Sequence, residues 1–132
     1  MTETTEFTIR KHSTEKPHFD LLLDRNGRTI HWIIPNGVPK KNREKRIAVE
    51  ETYQNESETG GKPSGTNQDR YGVGTFELWD RGDCQLTQTR KQRLVIKASG
   101  KKFQGNYLLF VPSWGRWTKR RLWVMEKIKG NR

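Results

Sequence analysis

The chain contains three histidines, and two of them stand with an aspartate in a short H-x5-H-x-D string: His12, His18 and Asp20. Two neutral imidazoles and one carboxylate make a donor set for a divalent metal ion. They leave open positions on octahedral Mn²⁺, or a fourth position on tetrahedral Zn²⁺, for water and a phosphate oxygen. That is a catalytic kind of site, since a structural one is closed by protein ligands. The string by itself is short, and surface or turn histidines also produce it, so its weight depends on the elements that carry it. His31 precedes Trp32 on a strand. A lone strand histidine is ordinarily structural or exposed, and His31 stays outside the predicted site.

In a strand, residues two apart share a face. His18 and Asp20 then point one way, with Leu22 beside them, while Phe19, Leu21 and Leu23 point to a core. From Phe7 to His12, the core types Phe7 and Ile9 alternate with Thr8, Arg10 and His12. If the two strands form a hairpin through Ser13 to Pro17, the three ligands can converge. Period-two alternation continues along the chain, and no stretch offers a helical stripe over three turns. The reading is all-β. Strands are expected at Phe7–His12, His18–Asp24, Arg28–Ile34, from Arg46, and at Phe76–Asp80, Cys84–Thr89, Gln92–Ala98, Lys102–Pro112 and Arg120–Ile128. Arg25-Asn26-Gly27, Pro35-Asn36-Gly37 and Arg81-Gly82-Asp83 supply turns. Gly72 and Gly74 predict a bulge or a close backbone approach. Residues 51–70 hold one apolar ring, Tyr53, among polar residues, which predicts a long mobile loop. Residues 1–132 fit one domain, a small antiparallel β-barrel of about eight strands, a form that removes exposed sheet edges.

The net charge of +11 is unevenly placed. From Arg90 onward there are 13 Lys or Arg against Glu126 alone, a net +12, whereas the first 89 residues carry −1. A field of that sign attracts polyanions, of which phosphate backbones are the commonest in cells. Trp114, Trp117, Trp123, Tyr107 and Phe110 interleave with these cations, and aromatic rings stack on unpaired bases. In a chain only 30% hydrophobic, however, most of these rings are needed for the core. The longest apolar runs, Leu21–Leu23, Trp32–Pro35 and Leu108–Pro112, fall far short of the roughly 20 residues of a membrane span. The polar start Met1–Glu6 lacks a signal-peptide pattern, which places the expected location in the cytoplasm. The single cysteine, Cys84, excludes an intrachain disulfide and reads as an ordinary strand residue.

The runs FTIRKHSTEKPHFDLLLD, HWIIPNGVPKKNREKRIAV, RYGVGTFELWDRGD, SGKKFQGNYLLF and RRLWVMEKI, in this order and spacing, resemble the 3′-phosphoesterase domain of bacterial DNA ligase D and its stand-alone relatives. The resemblance implies a small β-barrel and a divalent metal, commonly Mn²⁺. It also implies removal of a 3′-terminal ribonucleotide and then of the 3′-phosphate, preparing ends for ligation. It maps metal ligands onto His12, His18 and Asp20, and a phosphate clamp onto Arg46, the arginine of the KRIAV strand. It also exposes differences. The family's arginine two residues after the metal aspartate is Leu22 here, its lysine after the tryptophan strand is Asn36, and a later histidine has no counterpart in Glu50–Gln54. Lys11, Arg10, Lys119, Arg120 and Arg121 are further cations that could meet phosphate.

The expected function is a metal-dependent 3′-phosphoesterase with His12, His18, Asp20 and Arg46 in the catalytic site, acting on DNA or RNA 3′ ends as a monomer. A DNA ligase or end-joining machinery is the implied partner. The alternative is a binding barrel that keeps the fold and recognises ends without turnover. A basic barrel that coats single-stranded RNA is a remoter third.

Overall fold

The computed structural model describes residues 2–25, 27–52, 64–69, 72–90, 92–114 and 122–129. Their strands are β1 (Thr2–Ser13), β2 (His18–Arg25), β3 (Arg28–Ile34), β4 (Lys45–Thr52), β5 (Ser64–Asp69), β6 (Gly72–Arg90), β7 (Arg93–Ser99), β8 (Gln104–Phe110) and β9 (Leu122–Ile128). The hydrogen-bonded order is β1-β2-β3-β4-β9-β8-β7-β6, and β6 pairs back onto β1, so eight antiparallel strands close into a barrel. The predicted all-β barrel is the observed one. Among the described residues no helix is long and apolar enough to cross a membrane.

Alternating side chains fill the interior. Phe7 and Ile9 from β1, Leu21 and Leu23 from β2, Trp32 and Ile34 from β3 and Ala48 from β4 meet Cys84, Leu86, Ile96, Tyr107, Leu109, Trp123 and Met125 from the other wall. Trp32 and Trp123 pack edge to face at 5.6 Å between ring centroids, and Phe103 stacks on Tyr107 at 4.2 Å. Two aromatics of the basic third are thereby committed to packing, while Trp114 is 53% exposed. Trp117 lies outside the described residues. Burial pushes the Cys84 thiol up to about 12, so it is an inert core residue.

The β2–β3 hairpin closes on Arg25 paired with Arg28, and Gly27 between them has φ 77°. Asn-Gly is suited to this turn because the tight loop needs positive φ, which glycine adopts without a Cβ clash. Close approach is the reason for Gly74: a Cβ there would run into the Ser13 carbonyl of β1.

Three expectations need correction. First, β1 begins at Thr2, not Phe7, because Thr2–Glu6 pair with β6 through backbone groups that carry no apolar signal. Second, Arg81-Gly82-Asp83 is no turn. Its residues pair with β1, and Asp83 also with Ser99 of β7, within one 19-residue strand, and the bend is absorbed by a bulge that places Asp80 opposite Ile9 but Leu78 opposite Arg10. Third, the expected loop at 51–70 is strand at both ends. β4 runs to Thr52, and β5 adds to the first part of β6, outside the ring, from Ser64↔Glu77 to Asp69↔Gly72. Strand addition satisfies backbone groups without apolar side chains, so composition alone did not reveal it. Residues 53–63 and 70–71 lie outside the described residues.

Candidate metal centre

The β1–β2 hairpin carries the centre. Its ladder ends on His12↔His18, with Arg10↔Asp20 two steps further in. Phe7 and Ile9 on β1, with Leu21 and Leu23 on β2, take the barrel interior. Thr8, Arg10, His12, His18, Asp20 and Leu22 are turned to the opposite face, as period-two alternation requires. That face is nonetheless dry, since exposure is 0% at His12, 2% at His18, 4% at Asp20 and 1% at both Arg10 and Leu22. Part of its cover is Phe76, brought opposite His12 by the β6 bulge. The Phe76 ring meets His12 edge to face at 6.2 Å and lies 4.4 Å from the Arg10 guanidinium carbon.

One ligand atom each from His12, His18 and Asp20 lies within 4.8 Å of the other two. His12 Nδ1 is 3.1 Å from His18 Nε2 and 3.3 Å from Asp20 Oδ2, and His18 Nε2 is 3.5 Å from Asp20 Oδ1. Two donors each about 2.1 Å from one ion stand roughly 3.0 Å apart at a right angle and 3.4 Å apart at the tetrahedral angle. The His12–His18 and His12–Asp20 separations therefore match those of donors to a shared first-row cation, and the 3.5 Å contact of His18 is to the other oxygen of the same carboxylate. The ring of His18 is also preset: its Nδ1–H donates to the Lys16 carbonyl at 2.9 Å, which leaves the Nε2 lone pair aimed at the centre. With Nε2 of His18 as acceptor, Nδ1 of His12 carries the proton between the two rings, and that proton must leave for a metal to bind.

Asp20 is buried, which by itself raises its carboxyl pKa. The imidazoles of His12, His18 and His31 around it outweigh burial and hold it well below the usual carboxylate range. His31 is the residue that the sequence reading left out. It sits opposite Leu22 on β3, is 7% exposed, and donates from Nε2 to Asp20 Oδ1 at 3.0 Å. All three histidines of the chain thus converge on one carboxylate. A signal for this existed, because a two-residue turn at Asn26-Gly27 counts back to Leu22 opposite His31.

Arg46 is not brought to this cluster. On β4 it pairs with Met125 and shares the interior face of Ala48, whereas the β4 partner of His31 is Glu51, on the other face. Its guanidinium donates to Glu44 Oε2 at 2.8 Å and to the Asn36 and Lys45 carbonyls. Amides of Lys40 and Lys41, with Arg46, hold the Glu44 carboxyl down at about 2, so the pair is ionic. Within the β1–β2 hairpin strands, a cation on the ligand face is Arg10. Lys119, Arg120 and Arg121 lie outside the described residues.

Residues 10–111 match the DNA ligase D 3′-phosphoesterase domain, a stretch that runs from the last third of β1 past the end of β8. The chain belongs to this family. Its relatives include the multifunctional non-homologous end joining protein LigD of Mycobacterium bovis, 28% identical over 123 residues, covering 88% of this chain and 16% of that protein. The LigD of Mycolicibacterium smegmatis is 25% identical over 138 residues, covering 94% and 17%. That of Pseudomonas aeruginosa is 26% identical over 108 residues, covering 78% and 13%. The chain therefore spans about one-eighth to one-sixth of the length of these relatives.

Proposed function

We propose that the chain is a metal-dependent 3′-phosphoesterase that removes 3′-terminal ribonucleosides and 3′-phosphates from DNA or RNA ends before ligation. The observation that carries the reading is the convergence of His12, His18 and Asp20 on a buried face of a barrel of this family. These residues would hold Mn²⁺, or another divalent ion such as Zn²⁺. When bound, the ion supplies Lewis acidity toward a phosphoryl group and lowers the pKa of an attacking water. The protein's own share is positional. The Lys16 carbonyl fixes the His18 ring, the buried surroundings strengthen each charge interaction, and Arg10, held against Phe76, offers positive charge beside the ligands. The basic last third would draw the polyanion in, and end-joining proteins are the expected partners of a cytoplasmic chain. Incubation of the protein and Mn²⁺ with a primer bearing a 3′-phosphate tests the reading, with release of inorganic phosphate expected. Absence of turnover, where a LigD phosphoesterase domain is active, refutes it.

A second reading rests on Leu22 and Arg46. A hydrocarbon, buried to 1% exposure, stands on the ligand face where the family resemblance calls for a guanidinium, and Arg46 is tied to Glu44. This favours an end-binding module without turnover. It predicts binding of 3′-phosphate strands that weakens steeply with salt, and no product.

A further inference from the structure

We propose that His31 is a positioning residue for the metal centre: by donating from Nε2 to Asp20 Oδ1 it turns the carboxylate toward His12 and His18 and so sets the affinity for a divalent cation. The proposal rests on the metal-centre reading above.

Three observations carry it. His31 reaches Asp20 from a strand other than those of the two ligand histidines, across a register set by the Asn26-Gly27 turn. Its nitrogen is 3.0 Å from Oδ1, closer than either ligand imidazole is to the carboxylate, at 3.3 and 3.5 Å. It is not among the three residues whose donor atoms lie within 4.8 Å of one another, so it contacts Asp20 without belonging to the ligand set. The physical consequence follows from the protons. A metal ion takes the lone pairs of His12 Nδ1 and His18 Nε2, and neither atom can then donate to Asp20. Of the three imidazoles that contact the carboxylate, His31 alone keeps its N–H for it in the loaded state. The terminal torsion of an aspartate is broad and soft, so a carboxylate without that bond samples orientations that point its lone pairs away from the ion.

Titration with Mn²⁺, read by the electron paramagnetic resonance signal of free ion, tests the proposal on wild type, His31→Leu, His31→Gln and His12→Ala. His31→Leu fills the space without a donor, and His31→Gln retains an N–H. Wild type should bind one ion and His12→Ala none. His31→Leu should bind about 10–100-fold more weakly, and His31→Gln should recover most of that loss. Near-UV circular dichroism confirms that each variant is folded, and His31→Gln against wild type remains decisive if His31→Leu does not fold. The proposal is overturned if His31→Leu binds within about threefold of wild type, or if folded His31→Gln is as weak as His31→Leu. Wild type that binds neither Mn²⁺ nor Zn²⁺ refutes the metal centre itself, and the role of His31 with it. Wild-type binding lost in His12→Ala but unchanged in His31→Leu refutes His31 alone.

Discussion

Asp80 offers the sharpest test of how the barrel holds the ligand strand in place. Its carboxylate, only 6% exposed, accepts backbone N–H bonds from Arg81 at 2.9 Å and Lys101 at 3.3 Å on Oδ1, and from Lys102 at 2.8 Å and Phe103 at 2.7 Å on Oδ2. One side chain thus ties the β6 bulge to the β7–β8 turn. Asp80→Asn keeps one acceptor oxygen and presents an NH₂ to the other two donors, so two of the four bonds are lost. Hydrogen bonds to a charged group are worth about 1.5–3 kcal/mol each and are not additive, which gives a cost of about 2–4 kcal/mol. That is a large part of the roughly 5–15 kcal/mol that holds a domain folded, and a fall of roughly 10 °C in Tm. Guanidinium unfolding followed by tryptophan fluorescence measures it. The sign with pH is determined as well. Burial raises the Asp80 carboxyl, but the bonds from Phe103, Lys102, Arg81 and Lys101 more than reverse this and lower its pKa in the folded protein. Its contribution is therefore fully present above the unfolded value of about 3.9 and is lost as pH falls through the folded one. The difference between wild type and Asp80→Asn should be constant from about pH 8 to 5 and narrow below about pH 4. A difference under about 0.5 kcal/mol at neutral pH, or one that persists undiminished in acid, would refute the reasoning.

Asp20→Asn and His12→Ala should abolish Mn²⁺ binding by calorimetry. Saturating Mn²⁺ should stabilise wild type by about 2.7 kcal/mol at a hundredfold excess over Kd but leave both variants unmoved. Arg46→Ala should leave Mn²⁺ affinity within about twofold of wild type, because the side chain is on the other face of β4 and engaged with Glu44. Arg10→Gln should lower kcat on a 3′-phosphate primer by about a hundredfold, and equal loss in both arginine variants would contradict the assignment of Arg10 to the site. Gly74→Ala should cost about 1–3 kcal/mol in thermal unfolding, since the new Cβ meets the Ser13 carbonyl one residue beyond His12. It should also weaken Mn²⁺ binding, and an unperturbed affinity would show that the ligand strand tolerates the shift.

Much of the centre was legible because strand alternation and tight-turn registers are local. Phe7 and Ile9 against Thr8, Arg10 and His12, and Leu21 and Leu23 against His18, Asp20 and Leu22, assign faces from residue types alone. Five intervening residues, Ser13 to Pro17, suffice for a hairpin, which brings His12 opposite His18. His31 lies within reach of the same counting, because the tight turn before β3 sets its register, whereas residue type alone leaves it a lone strand histidine. Arg46 was assigned by resemblance, and one step of alternation on β4 sends it to the face of Ala48. In sequence the 19-residue β6 looks like two strands because Arg81-Gly82-Asp83 has turn composition, and the partners that keep it extended lie far away along the chain.

By itself, then, the sequence determined the all-β class, the inward and outward sets of side chains and the three residues of the candidate metal centre, since backbone geometry enforces period two wherever a strand forms. Tertiary structure decided that the outward face of β1 and β2 is buried, that Phe76 shields His12 and Arg10, that β5 pairs with β6, and that His31 meets Asp20 while Arg46 does not. Those outcomes depend on barrel closure and on one bulge between strands some 70 residues apart, where pairing is chosen by burial and hydrogen bonding of the whole chain.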